Sequence, residues 1–280
     1  MVSSSHPTPF HVASEIAKRL NLKKTETRAG TSDWNRHGDV QRLMEACQCN
    51  EAEATEALHI ARHHTNMQIG KLIVARHHES EWNKRGIWTG SRYIRLTPHG
   101  REMSLKMGLL VEDIRIDCAF ASEQIRSLET LTLMLEALGA GNIPIERSSA
   151  LDERDYGDYT GKNKLEMKKL LGDAEYDRVH REWDCPIPHG ETIKMVYGRA
   201  VPYYKSYIIP ALREGKTALL VSHGNAIRAL MKYIENIPDD EVKNLEMLFG
   251  SVIVYGVDAN GQMTSKDVRK LESKEEQMHA

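Results

Sequence analysis

Residues 71–83 read KLIVARHHESEWN, and this segment decides the predicted fold. Its apolar run, residues 72–75, has the length and branching of a buried strand, and it stops where charged residues begin. Ligand sites in open α/β sheets lie at such strand ends. A neutral imidazole held there can attack phosphorus, and a neighbouring guanidinium can bind the surrounding oxygens. Arg76 and His77 are therefore candidate phosphoryl-binding and phosphoryl-accepting residues.

Strand and helix patterns alternate after residue 70, which predicts an α/β fold: a mostly parallel central sheet with helices on both faces. Further strands are predicted at residues 118–121, 143–146, 217–221 and 252–257. Helices are predicted at residues 100–111, 122–138, 164–183, 192–213 and 226–235. The catalytic domain is expected to span residues 71–271, followed by a charged tail at 272–280. The Lys- and Glu-rich sequence after Ser265 is predicted to be a mobile or closing segment.

Residues 1–70 form a predicted helical N-terminal extension, because apolar residues recur at helical spacing within residues 10–20, 40–44 and 54–61. We interpret it as a lid or an oligomer-forming segment, which leaves a homo-oligomer open. The alternative is a small independent bundle of three helices.

Composition narrows the function classes. The 280 residues, 40% of them hydrophobic, suffice for one sizeable core plus an appendage. A net charge of -2 provides no basic field that would attract nucleic acid. The sequence contains no run of about 18 apolar residues, the length needed to span a membrane. The four cysteines lack Cys-x-x-Cys spacing and the N-terminus lacks a secretory apolar core, so reduced thiols and a cytoplasmic location are expected. A small anion is the expected partner.

Several segments resemble motifs of the histidine phosphatase superfamily, over residues 71–271. The family signature Arg-His-Gly-Glu stands here as RHHE at residues 76–79, and VSHGNAIR at residues 221–228 resembles the second histidine motif. Within the superfamily the chain looks most like the 2,3-bisphosphoglycerate-dependent phosphoglycerate mutases. That likeness rests on ESEWN at residues 79–83, on Thr89-Gly90, and above all on LDERDYGDYTGKNK at residues 151–164.

The resemblance implies a catalytic set. His77 would carry the phosphoryl group, while Arg76, Arg126 and His223 would surround its oxygens. Glu153 would act as general acid and base. The segment around Arg126 matches the family only loosely, and a surface arginine in a salt bridge is the alternative.

The resemblance also implies a substrate site for a small phosphorylated carboxylate. Hydroxyls and a backbone amide can hold its carboxylate, while lysine and arginine supply charge. The alternative for each hydroxyl residue is that it caps a helix or lies in a turn and does not bind substrate. The implied substrate-binding residues are Ser80, Asn83, Thr89, Gly90, Tyr156, Lys164, Arg181, Gly224 and Asn225. The implied reaction interconverts 3-phosphoglycerate and 2-phosphoglycerate in glycolysis and gluconeogenesis, with 2,3-bisphosphoglycerate as phosphoryl primer and no metal.

The chain departs from the mutase pattern at several positions. His78 replaces a glycine, where a side chain intrudes either on the phosphate cradle or on backbone torsions that glycine tolerates best. His180 replaces the first of two arginines, residues 186–191 lack a longer insertion, and residues 248–251 replace a Pro-Thr-Gly turn. Ser91 and Tyr93 replace the usual Trp and Asp. Together these changes predict a more accessible site.

Three function classes follow from the motifs and the departures. The first is the mutase, and the second is a phosphatase in which water takes the phosphoryl group from His77. The third is a non-catalytic module that binds a phosphorylated ligand. Metal catalysis is disfavoured, because adjacent histidines such as those at 63–64 and 77–78 point apart and do not easily share one ion.

Overall fold

The computed structural model describes residues 69–271, which form a six-stranded sheet of order β3-β2-β4-β1-β5-β6. The strands are β1 Gly70–Arg76, β2 Cys118–Ala121, β3 Ile145–Arg147, β4 Thr217–Ser222, β5 Ser251–Val257 and β6 Met263–Lys270. Strands β1 to β4 pair in parallel, whereas β5 and β6 are antiparallel to their neighbours. The predicted α/β fold with a mostly parallel sheet is confirmed.

Eight α-helices connect and cover these strands in the described part of the chain. They are α1 Glu81–Lys84, α2 Pro98–Leu109, α3 Ile125–Ala137, α4 Lys164–Leu171, α5 Asp173–Arg181, α6 Ile193–Tyr203, α7 Ile209–Arg213 and α8 Gly224–Ile234. Short 3₁₀ segments lie at Ser149–Leu151, Gly157–Tyr159 and Asp239–Asn244.

Strand β1 is buried on both faces, which explains its unbroken apolar sequence. Leu72 and Val74 belong to one core cluster, which includes side chains of α6 and α8. Ile73 and Ala75 point the other way, into a second cluster with α2 and α3. Because β1 and β4 are parallel neighbours, with Arg76 opposite Ser222, the residues that follow them emerge at the same edge of the sheet.

Two long predicted helices are interrupted. Residues 164–183 were predicted as one helix, but Gly172 adopts φ +78° and separates α4 from α5. The predicted helix at 192–213 contains a π-helical turn, Tyr204–Ile208, between α6 and α7. Pro210 lies at the start of α7, where a residue without an N–H cannot continue the regular hydrogen-bond ladder.

The prediction of a mobile or closing segment after Ser265 was wrong for residues 266–270. They belong to the edge strand β6, which pairs with β5 from Ser251 opposite Lys270 onward. Seven of its eight side chains are exposed, so it has no apolar alternation that the sequence could reveal. A charged edge strand also resists pairing with other chains.

The predictions for the N-terminal extension and for the tail at 272–280 fall on residues outside 69–271 and stay predictions, as does the division of the chain into domains. Within residues 69–271, no helix combines the length and apolar character needed to cross a bilayer.

Candidate active site

A cavity of about 1170 Å³ lies at the sheet edge where β1 ends. Most of the predicted site residues line it: Arg76, His77, Asn83, Thr89, Gly90, Arg126, Glu153, Tyr156, Lys164, Arg181, Gly224 and Asn225. His223 and Ser80 are not among the lining residues. His223 is buried directly behind the wall, with its ring centroid 4.9 Å from that of His77.

His77 is held as a neutral imidazole with a defined tautomer. Its Nδ1 lies 2.7 Å from the carbonyl oxygen of His78, which can only accept, so Nδ1 carries the proton and Nε2 keeps a lone pair. Burial lowers the pKa of His77 well below 6.5, and the positive charges of Arg126 and Arg76 lower it further. Nε2 of His77 therefore keeps the lone pair that a nucleophile needs, and in the resting site this lone pair accepts a hydrogen bond from Arg126.

Arg126 is fixed by three hydrogen bonds. Its Nη1 donates to the carbonyl of Arg92 at 2.7 Å, its Nη2 to the carbonyl of Gly90 at 3.0 Å, and its Nε to Nε2 of His77 at 3.3 Å. Burial lowers its pKa to about 10, which leaves it charged at neutral pH. The alternative of a surface arginine is wrong, because the side chain is fully buried.

Arg76 forms the other side of the pocket around His77. Its Nη1 donates to the carbonyl of Met247 at 3.1 Å, and its Nε is buried without a hydrogen-bond partner among residues 69–271. Gly224, the first residue of α8, lies against it: a Cβ there would sit 3.6 Å from Cζ of Arg76 and 3.8 Å from Oε2 of Glu153. Glycine at 224 thus keeps the space between the guanidinium and the carboxylate open.

Glu153 is oriented by the start of α8. Its Oε1 accepts from the backbone N–H of Arg154 at 2.8 Å, and from the backbone and side-chain N–H groups of Asn225 at 3.2 and 3.1 Å. The amide of Asn225 also donates to the hydroxyl of Tyr156 and accepts from Arg228. These bonds leave Oε2 on the side of Gly224 and Arg76, where a proton can be exchanged with a ligand.

His223 is positioned by a residue that the sequence did not indicate as functional. Its Nε2 lies 2.6 Å from Oγ of Ser122, while its Nδ1 is buried without a hydrogen-bond partner in the described chain. Burial lowers the pKa of His223 well below 6.5, as do Arg126 and His77.

Another part of the cavity wall carries cations contributed by α4, α5 and α8. Arg228 donates to the carbonyls of His180, Arg181 and Val242, and burial lowers its pKa to about 10. Burial and the charge of Lys164 lower the pKa of His180 to about 3, so this histidine is a neutral hydrogen-bonding group. Arg228 was missed as a site residue, although it ends the VSHGNAIR segment.

Ser80 does not join the substrate site. It is fully buried and caps α1 in a capping box with Asn83, so the helix-cap alternative describes it correctly. Asn83 does line the cavity, but its Oδ1 already accepts from the backbone N–H and the hydroxyl of Ser80. Thr89 has a buried hydroxyl without a partner within residues 69–271 and can still bind a ligand.

His78 lies in the cavity wall, with only 3% of its surface exposed. The non-glycine residues with positive φ in the described chain are His189 and Asn236. His78 is not one of them, so its backbone is not strained in this way. The predicted strain of backbone torsions at His78 is therefore wrong, and what distinguishes this position from glycine is the side chain in the cavity wall. The imidazole packs against Phe249 and His99, and burial lowers its pKa to about 4.

Comparison with known proteins decides the family. A family model described as the histidine phosphatase superfamily (branch 1) matches residues 72–267. The chain belongs to this superfamily. A 2,3-bisphosphoglycerate-dependent phosphoglycerate mutase from Parvibaculum lavamentivorans is 35% identical over 199 residues, which cover 70% of this chain and 95% of that protein.

Solved structures of other proteins share the fold. Bacillus stearothermophilus YhfR is 28% identical with a TM-score of 0.61, covering 69% of this chain and 94% of that one. A mycobacterial glucosyl-3-phosphoglycerate phosphatase is 19% identical with a TM-score of 0.62, covering 72% of this chain and 99% of that one. Sequence relatives named as mutases and a solved structure named as a phosphatase therefore both resemble this chain, and the choice between these activities rests on the site.

Proposed function

We propose that this superfamily member is a phosphoglycerate mutase that interconverts 3-phosphoglycerate and 2-phosphoglycerate through a phosphohistidine at His77. The observation that carries the phosphoryl-transfer chemistry is the neutral His77, whose Nε2 faces the guanidinium of Arg126 at 3.3 Å. The mutase assignment is supported by the named relatives, which match this chain over nearly their full length. A glycolytic and gluconeogenic role in the cytoplasm follows from this proposal.

In the proposed reaction, Nε2 of His77 attacks the phosphorus of the bound ester. Arg126 and Arg76 hold the phosphoryl oxygens, whose charge is shared in the transition state, and this positioning supplies most of the rate enhancement. Glu153 gives a proton to the leaving oxygen and later takes one from the incoming hydroxyl. Its Oε2 lies on the same side of Gly224 as Arg76, which suits this exchange.

The donor groups of the cavity fit the primer 2,3-bisphosphoglycerate, which supplies the phosphoryl group that primes His77. The buried and unpartnered Nε of Arg76, Oγ1 of Thr89 and Nε of Arg228 are hydrogen-bond donors for such an anion. Lys164 and Arg181 would neutralise its second phosphate or its carboxylate. No metal is required for this assignment.

One observation favours the phosphatase as a second candidate. A cavity of about 1170 Å³ exceeds what a three-carbon acid fills, so water has room beside the substrate. The short segment at residues 186–191 adds no further cover. In this alternative, water rather than a second hydroxyl takes the phosphoryl group from His77.

One assay separates these candidates. The purified protein is incubated with 3-phosphoglycerate, with and without catalytic 2,3-bisphosphoglycerate, and both 2-phosphoglycerate and free phosphate are quantified. A mutase forms mainly 2-phosphoglycerate and depends on the primer, whereas a phosphatase releases phosphate. His77→Ala is the control, because it should abolish either activity together with the acid-labile phosphoryl adduct seen by intact mass.

A further inference from the structure

Phe249 lies over three residues of the phosphoryl site. Its ring centroid is 4.0 Å from Cζ of Arg76, 6.1 Å from the ring of His77 and 5.4 Å from the ring of His78. A half-buried aromatic side chain therefore contacts a phosphoryl-binding guanidinium, the nucleophile and the histidine that replaces the signature glycine.

Hydrogen bonds on both sides hold this ring in place. The carbonyl of Met247, two residues earlier, accepts from Arg76 itself. The hydroxyl of Ser251, two residues later, donates to the carbonyl of Leu248 at 2.8 Å. Gly250 adopts φ +70°, a turn conformation in which other residues are strained. The position of Phe249 is thus fixed by the backbone that carries it.

The groups next to this ring include polar atoms that hydrogen bonds in the described chain leave unused. Nε of Arg76 and both ring nitrogens of His78 are buried and unpartnered. Buried polar atoms normally have a protein or water partner. An apolar ring in contact with Arg76 and His78 leaves less room for a water molecule beside these polar groups.

We propose that Phe249 shields the phosphohistidine from water and thereby determines how often the phosphoryl group reaches a phosphoglycerate hydroxyl rather than water. This inference rests on the proposed function of His77. In the competing hydrolysis, a water oxygen bonds to phosphorus while the bond from phosphorus to Nε2 of His77 breaks. The bonding electron pair returns to Nε2, and Glu153 takes a proton from the water. In productive transfer, the substrate hydroxyl replaces the water in the same steps.

Removing the ring should admit water to this place. Phe249→Ala deletes a phenyl ring and leaves a space larger than one water molecule. Arg76 and His78, which contact the ring, would border this space and carry the two or more polar groups that an ordered water needs. An apolar replacement of intermediate size, as in Phe249→Leu, should keep most of the cover.

The test measures the lifetime of the phosphoenzyme. Wild type, Phe249→Ala, Phe249→Val and Phe249→Leu are phosphorylated with 2,3-bisphosphoglycerate, freed of excess primer, and sampled for acid-labile phosphate over time. We expect the half-life to fall at least tenfold in Phe249→Ala, to fall less in Phe249→Val, and to stay within about threefold of wild type in Phe249→Leu. Leu170→Ala, which truncates a side chain of α4 that is 76% exposed and outside the cavity wall, is the matched control and should leave the half-life unchanged.

The ratio of free phosphate to 2-phosphoglycerate should rise in the same order as the half-life falls. A half-life in Phe249→Ala that stays within twofold of wild type overturns the shield alone. A wild type that 2,3-bisphosphoglycerate does not phosphorylate overturns both the shield and the proposed phosphohistidine. If Phe249→Ala does not fold, an unchanged half-life in Phe249→Val overturns the shield instead. Failure of the mutase proposal looks different: no variant forms 2-phosphoglycerate, while the ordered half-lives still support the shield.

Discussion

Arg126 donates a hydrogen bond from Nε to Nε2 of His77 over 3.3 Å, and so occupies the lone pair that would attack phosphorus. The other two nitrogens of the guanidinium each donate to a carbonyl, that of Arg92 and that of Gly90. Attack therefore requires Arg126 to exchange its imidazole acceptor for a phosphoryl oxygen, while its other two bonds hold it in place. Together with burial, the same arginine keeps the resting His77 neutral, and in the proposed reaction it would stabilise the charge of the phosphoryl oxygens.

This arrangement predicts a large effect of Arg126→Lys. Lysine keeps a positive charge but cannot bind both carbonyls and the reacting group at once. We expect kcat/KM for 3-phosphoglycerate to fall by about 100- to 1000-fold, the range found when one positioned donor to a transition state is lost. Arg178→Lys is the matched control, because Arg178 is an exposed arginine of α5. This substitution should change kcat/KM by less than about twofold. A fall of less than fivefold for Arg126→Lys would contradict the assigned role.

A second prediction concerns stability at acidic pH. Burial, together with His99 and Arg76, lowers the pKa of His78 from 6.5 to about 4, so the unfolded chain binds a proton at pH 5 that the folded chain does not. This histidine therefore contributes stability above pH 6.5 that is lost as the pH falls from 6.5 towards 4. From pH 7 to pH 5, the wild type should lose about 2 kcal/mol more free energy of unfolding than His78→Gln does.

The measurement is urea unfolding of both proteins at pH 7 and pH 5, compared as differences so that the effect of the substitution at pH 7 cancels. His189→Gln, which removes an imidazole that is 84% exposed, is the control. Equal losses for wild type and His78→Gln would show that His78 is as easily protonated in the folded protein as in the unfolded chain.

The sequence was sufficient for the fold and for the centre of the site. The apolar runs at residues 72–75 and 217–221 are buried on both faces of a parallel sheet, and such strands have an unambiguous pattern. The proposed chemistry of His77 came from its place directly after β1. The loose match around Arg126 still placed this residue correctly in the cavity wall. The helix that carries Arg126 begins just after β2, at the edge of the sheet where the cavity lies.

The features that the sequence missed depend on contacts between distant segments. The hydrogen bonds of Arg126 are made to carbonyls of Arg92 and Gly90, and backbone acceptors leave no mark in a residue pattern. Ser80 was assigned to substrate, although a serine before a short helix can equally be its cap. The role of Arg228, which binds three carbonyls, likewise appears only when α8 packs beside α5.

A third prediction concerns the N-terminal extension, which carries none of the proposed site residues. All of the hydrogen bonds described above for His77, Arg126 and Glu153 are made within residues 69–271. A truncated chain beginning at Gln68 should therefore keep its turnover within about tenfold of the full chain. Loss of more than about a hundredfold in a folded truncated chain, roughly 2.7 kcal/mol of transition-state stabilisation, would place part of the machinery in the extension.

The last prediction uses His78 to separate the two enzymatic candidates. The side chain cannot simply point to solvent, because it is 3% exposed and packs on Phe249. If the protein is a mutase, His78→Gly gives the phosphohistidine more room, and 2-phosphoglycerate formation should rise relative to phosphate release. In a phosphatase, a neutral His78 can orient the attacking water, so the substitution should slow phosphate release by about ten- to a thousandfold. Both products are measured for wild type and His78→Gly, and a selective loss of phosphate release would contradict the mutase assignment.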